Sequence, residues 1–205
     1  MRRAAVCFVK LLRFFVIMKN IEQELKMRLD EREYNILLQA SDARPALQTN
    51  FYFLSDDPDP DVMVRIRQKG SSFLLCYKRR LSQNDGISVC DERECGIMLA
   101  DARRMLDDGL RRYEINGKLG LNLQDDFRYK GKLDTYRAKF LLDEWVLELD
   151  KNEYLGVTDY ELECECSRVD ALVKLKSYLQ YHYGVVYKPS LPKSERFFAE
   201  LQNKK

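Results

Sequence analysis

The chain has 205 residues, of which 45% are hydrophobic and 33% are charged, and its formal net charge is only +2. This length is enough for one domain with a substantial core, and the composition is typical of a soluble protein. The near-neutral charge argues against a nucleic-acid binder that works through overall charge, although charge segregated inside a cleft would not show in this number.

The first seventeen residues are basic and then apolar, and they superficially resemble a signal peptide. Lys10 and Arg13 interrupt the apolar run, no small-residue cleavage site follows it, and it is too short to span a bilayer. We expect residues 1–17 to be an extension from an early start assignment, with Met18 as the true start. A surface helix and a membrane-associating segment are the alternatives. Residues 18–205 are expected to form one domain.

An acidic alternation opens that domain. Residues 21–29 read I-E-Q-E-L-K-M-R-L. Successive side chains of a β-strand point to opposite faces, so Glu22, Glu24 and Lys26 share one face and a mostly apolar set lines the other. A single strand of this kind usually has a solvated face, so its meaning depends on the rest of the chain.

Helices and turns are expected between the strands. The predicted helices cover 31–40 with Asp30 as the cap, 98–106 ending near Gly109, and a segment from Ser167 to Gly184. The predicted turns lie at 56–61, 84–86 and 143–144, the last of them inside a hairpin over 134–150. A further strand is expected over 87–94, whereas 112–123 shows no clear pattern.

Three predicted strands in the middle of the chain carry basic side chains. These are 62–69 with Arg65 and Arg67, 73–78 with Lys78, and 135–141 with Arg137 and Lys139. Guanidinium and ammonium groups bind phosphate oxygens well. Taken singly, each of these faces would be expected in solvent.

A second acidic strand closes the pattern. Residues 160–166 read Y-E-L-E-C-E-C, which puts Glu161, Glu163 and Glu165 on one face. Like charges in a row repel one another unless positive groups lie against them. Basic strands and hard divalent ions, which prefer carboxylate oxygens, are the candidates. Two acidic strands separated by basic strands therefore predict one cavity with cationic and anionic walls.

The sequence also disfavours several kinds of site. The six cysteines form no C-x-x-C pair, and the single His182 leaves no zinc-type set. We interpret all six as reduced thiols of a cytoplasmic protein. One histidine gives no support for Ser-His or Cys-His catalysis, and no G-x-x-x-x-G-K-[ST] segment indicates a P-loop.

The ordered set of motifs resembles the CYTH domain, or triphosphate tunnel metalloenzyme, superfamily, from about Ile21 to Phe197. The motifs are E-x-E-x-K at Glu22, Glu24 and Lys26, R-x-R at Arg65 and Arg67, the strand residues Lys78 and Arg137, the acidic Glu148 and Asp150, E-x-E-x-E at Glu161, Glu163 and Glu165, and K-x-x-R at Lys193 and Arg196. The resemblance implies an α+β fold in which a closed eight-stranded antiparallel β-barrel forms a tunnel with helices packed outside. Periodicity alone leaves a barrel and a sandwich open.

The resemblance also implies roles for these residues. The implied phosphate-binding residues are Lys26, Arg65, Arg67, Lys78, Arg137 and Lys193, and the implied ligands of Mg²⁺ or Mn²⁺ are Glu22, Glu24, Glu148, Glu161 and Glu163. Lys26, Glu24 and Glu163 are expected to be catalytic. For Asp150, Glu165, Glu92 and Glu94 a structural role is an equal alternative, for example Asp150 beside a turn and Glu165 at the rim.

The implied function is a metal-dependent triphosphatase that cleaves inorganic tripolyphosphate or a related organic triphosphate. A class IV-type adenylyl cyclase is an alternative, ranked lower because no base-recognition motif is evident, and a non-catalytic polyphosphate-binding module is another. The expected partner is a small-molecule triphosphate, with no nucleic acid or membrane. A monomer and a homodimer remain open.

Overall fold

The computed structural model describes residues 18–84, 87–165 and 169–204. Some sequence predictions lie outside the described residues, namely the extension over 1–17, most of the turn at 84–86, Cys166 and the helix start at Ser167.

Eight strands close into an antiparallel barrel. They are β1 (Met18–Leu29), β2 (Ala46–Leu54), β3 (Val62–Lys69), β4 (Ser72–Asn84), β5 (Ile87–Ile97), β6 (Arg128–Leu142), β7 (Trp145–Tyr154) and β8 (Val157–Glu165). Their hydrogen-bonding order is β1-β5-β4-β3-β2-β6-β7-β8, and pairing of β8 with β1 closes the sheet. Closure joins the two edges of the sheet. The predicted α+β barrel is confirmed.

Helices pack outside the barrel. In the described residues they are α1 (Glu31–Ser41), α2 (Leu99–Asp108), α3 (Arg112–Leu119), α4 (Val169–Tyr183) and α5 (Lys193–Asn203). The predicted cap of α1 is present, because the Glu33 backbone N–H donates to Asp30 Oδ1 at 2.8 Å and the Asp30 N–H donates to Glu33 Oε2 at 2.8 Å. Within the part of the chain that is described, no helix combines the length and apolar character needed to cross a membrane.

Helix α3 lies in the segment that showed no sequence pattern. It is only eight residues long, contains Gly117, and buries Ile115 and Leu119. The Asn116 side-chain amide both donates to Leu123 O at 2.9 Å and accepts from Leu123 N–H at 2.8 Å. Contacts beyond the helix therefore stabilise a segment whose own propensity is weak.

The chain forms two compact units. The first contains Thr49–Arg79 and Asp91–Lys132, and the second contains Ile21–Gln48, Arg80–Cys90 and the segment from Leu133 onward. In the first unit, Val64, Ile66 and Leu75 on one face of β3 and β4 pack with Met105 of α2 and Ile115 of α3. The apolar face of these strands is therefore the one that the helices cover.

The second unit is built in the same way. Leu25 and Met27 of β1, Leu149 of β7 and Leu162 of β8 pack with Leu175 of α4 in one buried cluster. The strands pair in antiparallel register, with Lys26 opposite Glu163 and Arg137 opposite Asp150. Strand alternation thus turns the charged side chains of β1, β6, β7 and β8 to the inner face of the barrel wall.

Trp145 lies beneath helix α4. Its indole Nε1–H donates to Ala171 O at 3.0 Å, and its ring lies 5.3 Å from the Tyr178 ring. The side chain is 4% exposed. It joins the β6–β7 hairpin, which turns through Asp143 at a φ of 52°, to α4.

We predict that Trp145→Ala lowers the free energy of unfolding by about 3–5 kcal/mol, because it removes a buried aromatic side chain and its hydrogen bond. Urea unfolding followed by circular dichroism measures this. The control is Val146→Ala, whose side chain is 44% exposed and whose cost should stay below about 1 kcal/mol. Equal losses for the two variants would contradict the prediction.

Candidate active site

The inner face of the second unit carries eight interacting charged side chains, called here the charged cluster. Its members are Glu24 and Lys26 of β1, Arg137 of β6, Glu148 and Asp150 of β7, Glu161 and Glu163 of β8, and Lys193 of α5. Four strands and one helix therefore contribute to a single ionic network. Charged groups are rarely buried unless they are paired.

Lys26 joins the two acidic strands. Its ammonium donates to Glu24 Oε2 at 2.9 Å and to Glu163 Oε1 at 2.6 Å. Burial alone would lower the pKa of Lys26, but attraction by Glu163 and Glu24 outweighs it and raises the pKa well above its usual value. Lys26 is therefore a permanent cation that draws two predicted catalytic carboxylates together.

Arg137 links the middle strands of the cluster. Its guanidinium forms a two-pronged pair with Asp150, with Nε–Oδ1 at 2.7 Å and Nη2–Oδ2 at 2.6 Å, and Nη2 also donates to Glu163 Oε2 at 2.7 Å. Nη1 contacts Glu148, which also accepts from Lys139 Nζ at 2.8 Å. Such fork geometry fixes the directions of the carboxylates as well as their charge.

Three buried carboxylates lie close enough together to hold a cation. Asp150, Glu161 and Glu163, called here the acidic triad, each place one oxygen within 4.8 Å of the others, and all three are buried. Burial alone would raise the pKa of Glu161 and Glu163, but Lys193 and the other cations outweigh it and hold both pKa values below the usual range. Carboxylate oxygens at this spacing suit a hard divalent ion such as Mg²⁺ or Mn²⁺.

A cationic side chain already lies against the acidic triad. Lys193 Nζ is 2.8 Å from Glu161 Oε1 and 3.4 Å from Glu163 Oε1, and it also contacts Asp150 Oδ2. Burial lowers the pKa of Lys193, whereas the three carboxylates raise it by a larger amount. The triad and Lys193 therefore form one buried ionic unit.

Arg196, one turn along α5, holds the other oxygen of Glu161. Its Nη1 donates to Glu161 Oε2 at 2.9 Å, while Nε and Nη2 donate to Asp159 Oδ2 and Oδ1 at 2.9 and 3.0 Å. Tyr154 Oη–H also donates to Asp159 at 2.7 Å. Burial raises the pKa of Asp159, but these hydrogen bonds and the Arg196 charge lower it to about 2. Asp159 is thus the fixed counter-charge that orients Arg196.

The first unit contains a separate set of cationic side chains on β3 and β4. Arg65 is buried, and its Nη2 lies 3.4 Å from Glu92 Oε1, while Lys78 Nζ lies 3.8 Å from Glu92 Oε2. Arg67 Nε donates to Asn50 Oδ1 at 3.2 Å. Both ion pairs with Glu92 are longer than the contacts between Arg137 and Asp150.

The structure brings most of the predicted site residues together. The second unit unites Glu24, Lys26, Arg137, Glu148, Glu161, Glu163 and Lys193, the first unit holds Arg65, Arg67 and Lys78, and the side chain of Glu22 lies outside the described residues. Their functional roles remain predictions. Glu165 is exposed, which agrees with a place at the rim.

Sequence reasoning underestimated Asp150 and missed Asp159. The sequence left a structural role beside a turn and a role in the site as equal alternatives for Asp150. The structure shows that Asp150 is fully buried and belongs to the acidic triad. Asp159 precedes Glu161 by two residues and so shares its strand face. This periodicity was a usable signal, but the E-x-E-x-E motif begins two residues later, at Glu161, and does not include Asp159.

Comparisons with known proteins agree with this fold. The CYTH domain family model matches residues 20–198. A Bacillus halodurans protein described as an adenylate cyclase candidate has a TM-score of 0.71 and 24% identity, covering 88% of this chain and 98% of its own. A Hippeastrum adenylyl cyclase candidate with a dominant triphosphatase activity has a TM-score of 0.71 and 24% identity, covering 90% and 96%.

More distant structures share the same architecture. A Pyrococcus horikoshii protein has a TM-score of 0.54 and 19% identity, covering 83% of this chain and 96% of its own. A search of curated proteins found no match. At these identities the structural likenesses establish the fold.

We predict that Asp159→Asn lowers the free energy of unfolding by about 3–5 kcal/mol, because it leaves Arg196, whose side chain is only 11% exposed, without its full counter-charge. Asp59→Asn is a matched control, since Asp59 pairs with Arg79 at 2.9 Å but both side chains are largely exposed; its cost should be below about 1 kcal/mol. Urea unfolding of both variants tests this, and equal stabilities would contradict it.

Proposed function

The chain belongs to the CYTH domain family, whose model matches residues 20–198, and we propose that it is a metal-dependent hydrolase of inorganic tripolyphosphate or a related organic triphosphate. CYTH tunnel enzymes are metal-dependent. The observation that carries the proposal is the buried acidic triad, whose carboxylates pair with Arg137 and Lys193. A polyphosphate and its divalent ion need both kinds of charge in one place.

The carboxylates supply the proposed metal site. Asp150, Glu161 and Glu163 would hold a divalent ion. Glu24 and Glu148, which contact the Lys26 and Arg137 that also contact Glu163, are the further proposed ligands. A bound ion there would neutralise phosphate charge and lower the pKa of the attacking water. The chain's own contribution is to pair these carboxylates with cations and to fix the directions of their oxygens.

The cations supply the proposed phosphate grip. Their proposed members are Lys26, Arg65, Arg67, Lys78, Arg137 and Lys193. Lys26 and Arg137 are oriented by the carboxylates that they contact, so little reorganisation is needed when charge develops on a phosphate oxygen. Phosphoryl transfer depends mainly on positioning and charge stabilisation, so this arrangement fits hydrolysis without a nucleophilic side chain.

We predict that Glu163→Gln lowers metal-dependent phosphate release by about 10²–10³-fold, because Glu163 touches Lys26, Arg137 and Lys193 at once. Arg67→Ala should also abolish most of the activity, and a chelator should remove it from the wild type.

Glu153→Gln is the matched control for this experiment. Glu153 also lies on β7. It pairs with the partly exposed Lys151 at 2.7 Å and lies outside the charged cluster. Its variant should keep the wild-type rate. Full activity in Glu163→Gln or in Arg67→Ala would reject the proposed site.

The nature of the product decides between hydrolysis and the cyclase alternative. The dominant triphosphatase activity of the Hippeastrum protein agrees with hydrolysis here. We predict that purified protein with Mn²⁺ releases orthophosphate from tripolyphosphate and forms no cyclic AMP from ATP. Chromatography of the products with and without metal measures both reactions. Cyclic AMP with pyrophosphate would establish the cyclase instead, and tight binding without turnover would establish a binding module.

A further inference from the structure

Lys193 and a divalent ion would both need the same three carboxylates. The Lys193 ammonium contacts all three residues of the acidic triad, with distances of 2.8 Å to Glu161 Oε1 and 3.4 Å to Glu163 Oε1. A divalent ion in this triad would lie about 2.0–2.6 Å from its oxygen ligands. An ammonium hydrogen-bonded to those oxygens fills that space, so the two cations cannot share it.

We propose that Lys193 is an exchangeable counter-ion of the acidic triad: a divalent ion displaces its ammonium from the three carboxylates, and the freed ammonium then becomes a ligand of the bound phosphate chain. The second half of this statement rests on the proposed function, whereas the exchange itself does not. The exchange makes metal binding a condition for the full phosphate grip.

The position of Lys193 on α5 allows this movement. Lys193 is the first residue of the helix, and its ammonium is carried on a flexible four-carbon stem. Arg196 and Phe197 hold the helix independently, through Asp159 and through a fully buried aromatic side chain. The ammonium can therefore leave the acidic triad while α5 stays in place.

Lys193 is the cation of the charged cluster that a divalent ion would displace, because the other two cations have different carboxylate contacts. Arg137 is tied to Asp150 through two parallel hydrogen bonds, and Lys26 is held between Glu24 and Glu163. Lys193 is the cation that reaches all of Asp150, Glu161 and Glu163. A divalent ion in the acidic triad would therefore displace the Lys193 ammonium rather than Arg137 or Lys26.

Calorimetric titration with Mn²⁺, with no phosphate compound present, tests the competition. Lys193→Met removes the ammonium but keeps most of the stem, and it should bind Mn²⁺ at least about tenfold more tightly than the wild type. Lys139→Met removes a lysine that contacts Glu148 but not the acidic triad, and it should change the affinity by less than about threefold, since its charge is largely exposed to solvent. Circular dichroism confirms that each variant is folded.

Three results of this titration would overturn the proposal. They are unchanged or weaker Mn²⁺ binding in Lys193→Met, an equal gain in Lys139→Met, and no Mn²⁺ binding by any of the proteins. A lack of triphosphatase activity would overturn only the proposed function, because the titration contains no substrate.

Chemical labelling of the wild type tests the displacement without a variant. Lys193 should be protected from acetic anhydride in metal-free protein and become several-fold more reactive at saturating Mg²⁺, as measured by peptide mass spectrometry. Lys188, which pairs with Glu33 at 2.9 Å outside the charged cluster, is the internal reference and should not change. Continued protection of Lys193 at saturating Mg²⁺ would overturn the proposal.

Discussion

The ionic pairing of buried carboxylates with buried cations is the constraint on which the rest of this structure depends. A carboxylate removed from water is costly unless a cation and hydrogen bonds compensate it. Glu163 meets this condition through Lys26, Arg137 and Lys193, which come from β1, β6 and α5. The ion pairs therefore depend on the register of the strands, because a slip of one residue would exchange their charged and apolar faces.

The opposite face of the same strands supplies the compensating stability. Leu25, Leu149 and Leu162 are buried against α4, and each buried aliphatic side chain contributes about 1.5–3 kcal/mol. A buried ion pair contributes little net stability, and apolar replacements are often as stable or more so. The apolar face, and not the charged cluster, is therefore the main source of stability in these strands.

Strand periodicity carried most of what could be predicted from the sequence. The alternation of Glu161 and Glu163 with apolar neighbours identified both the strand and its inner face. Periodicity left a barrel and a sandwich open, and the barrel was implied only by the resemblance of the ordered motifs to the CYTH domain superfamily. Helix α1 was predicted from its cap, which the Asp30 and Glu33 hydrogen bonds confirm. These features are local, so a one-dimensional pattern contains them.

Features that depend on long-range contacts were harder to predict. Helix α3 is short and contains a glycine, and it is stabilised by contacts such as that between Asn116 and Leu123. The partners of Asp150 come from β6 and α5, and its local sequence, next to a turn-like segment, says nothing about them. The partner of Asp159 is Arg196, which lies 37 residues away in the sequence.

Helix α5 shows how the fold converts such a long-range contact into a chemical property. Arg196 holds one oxygen of Glu161 and Lys193 the other, at 2.9 and 2.8 Å, so one helix controls both sides of a single carboxylate. Arg196 has its own buried partner in Asp159, whereas Lys193 contacts only carboxylates of the acidic triad among the ion pairs of the described residues. The first contact fixes the geometry of the oxygen donors, and the second leaves a charge that can be exchanged. A single turn of helix thus separates Arg196, which fixes Glu161, from Lys193, which can respond to a ligand.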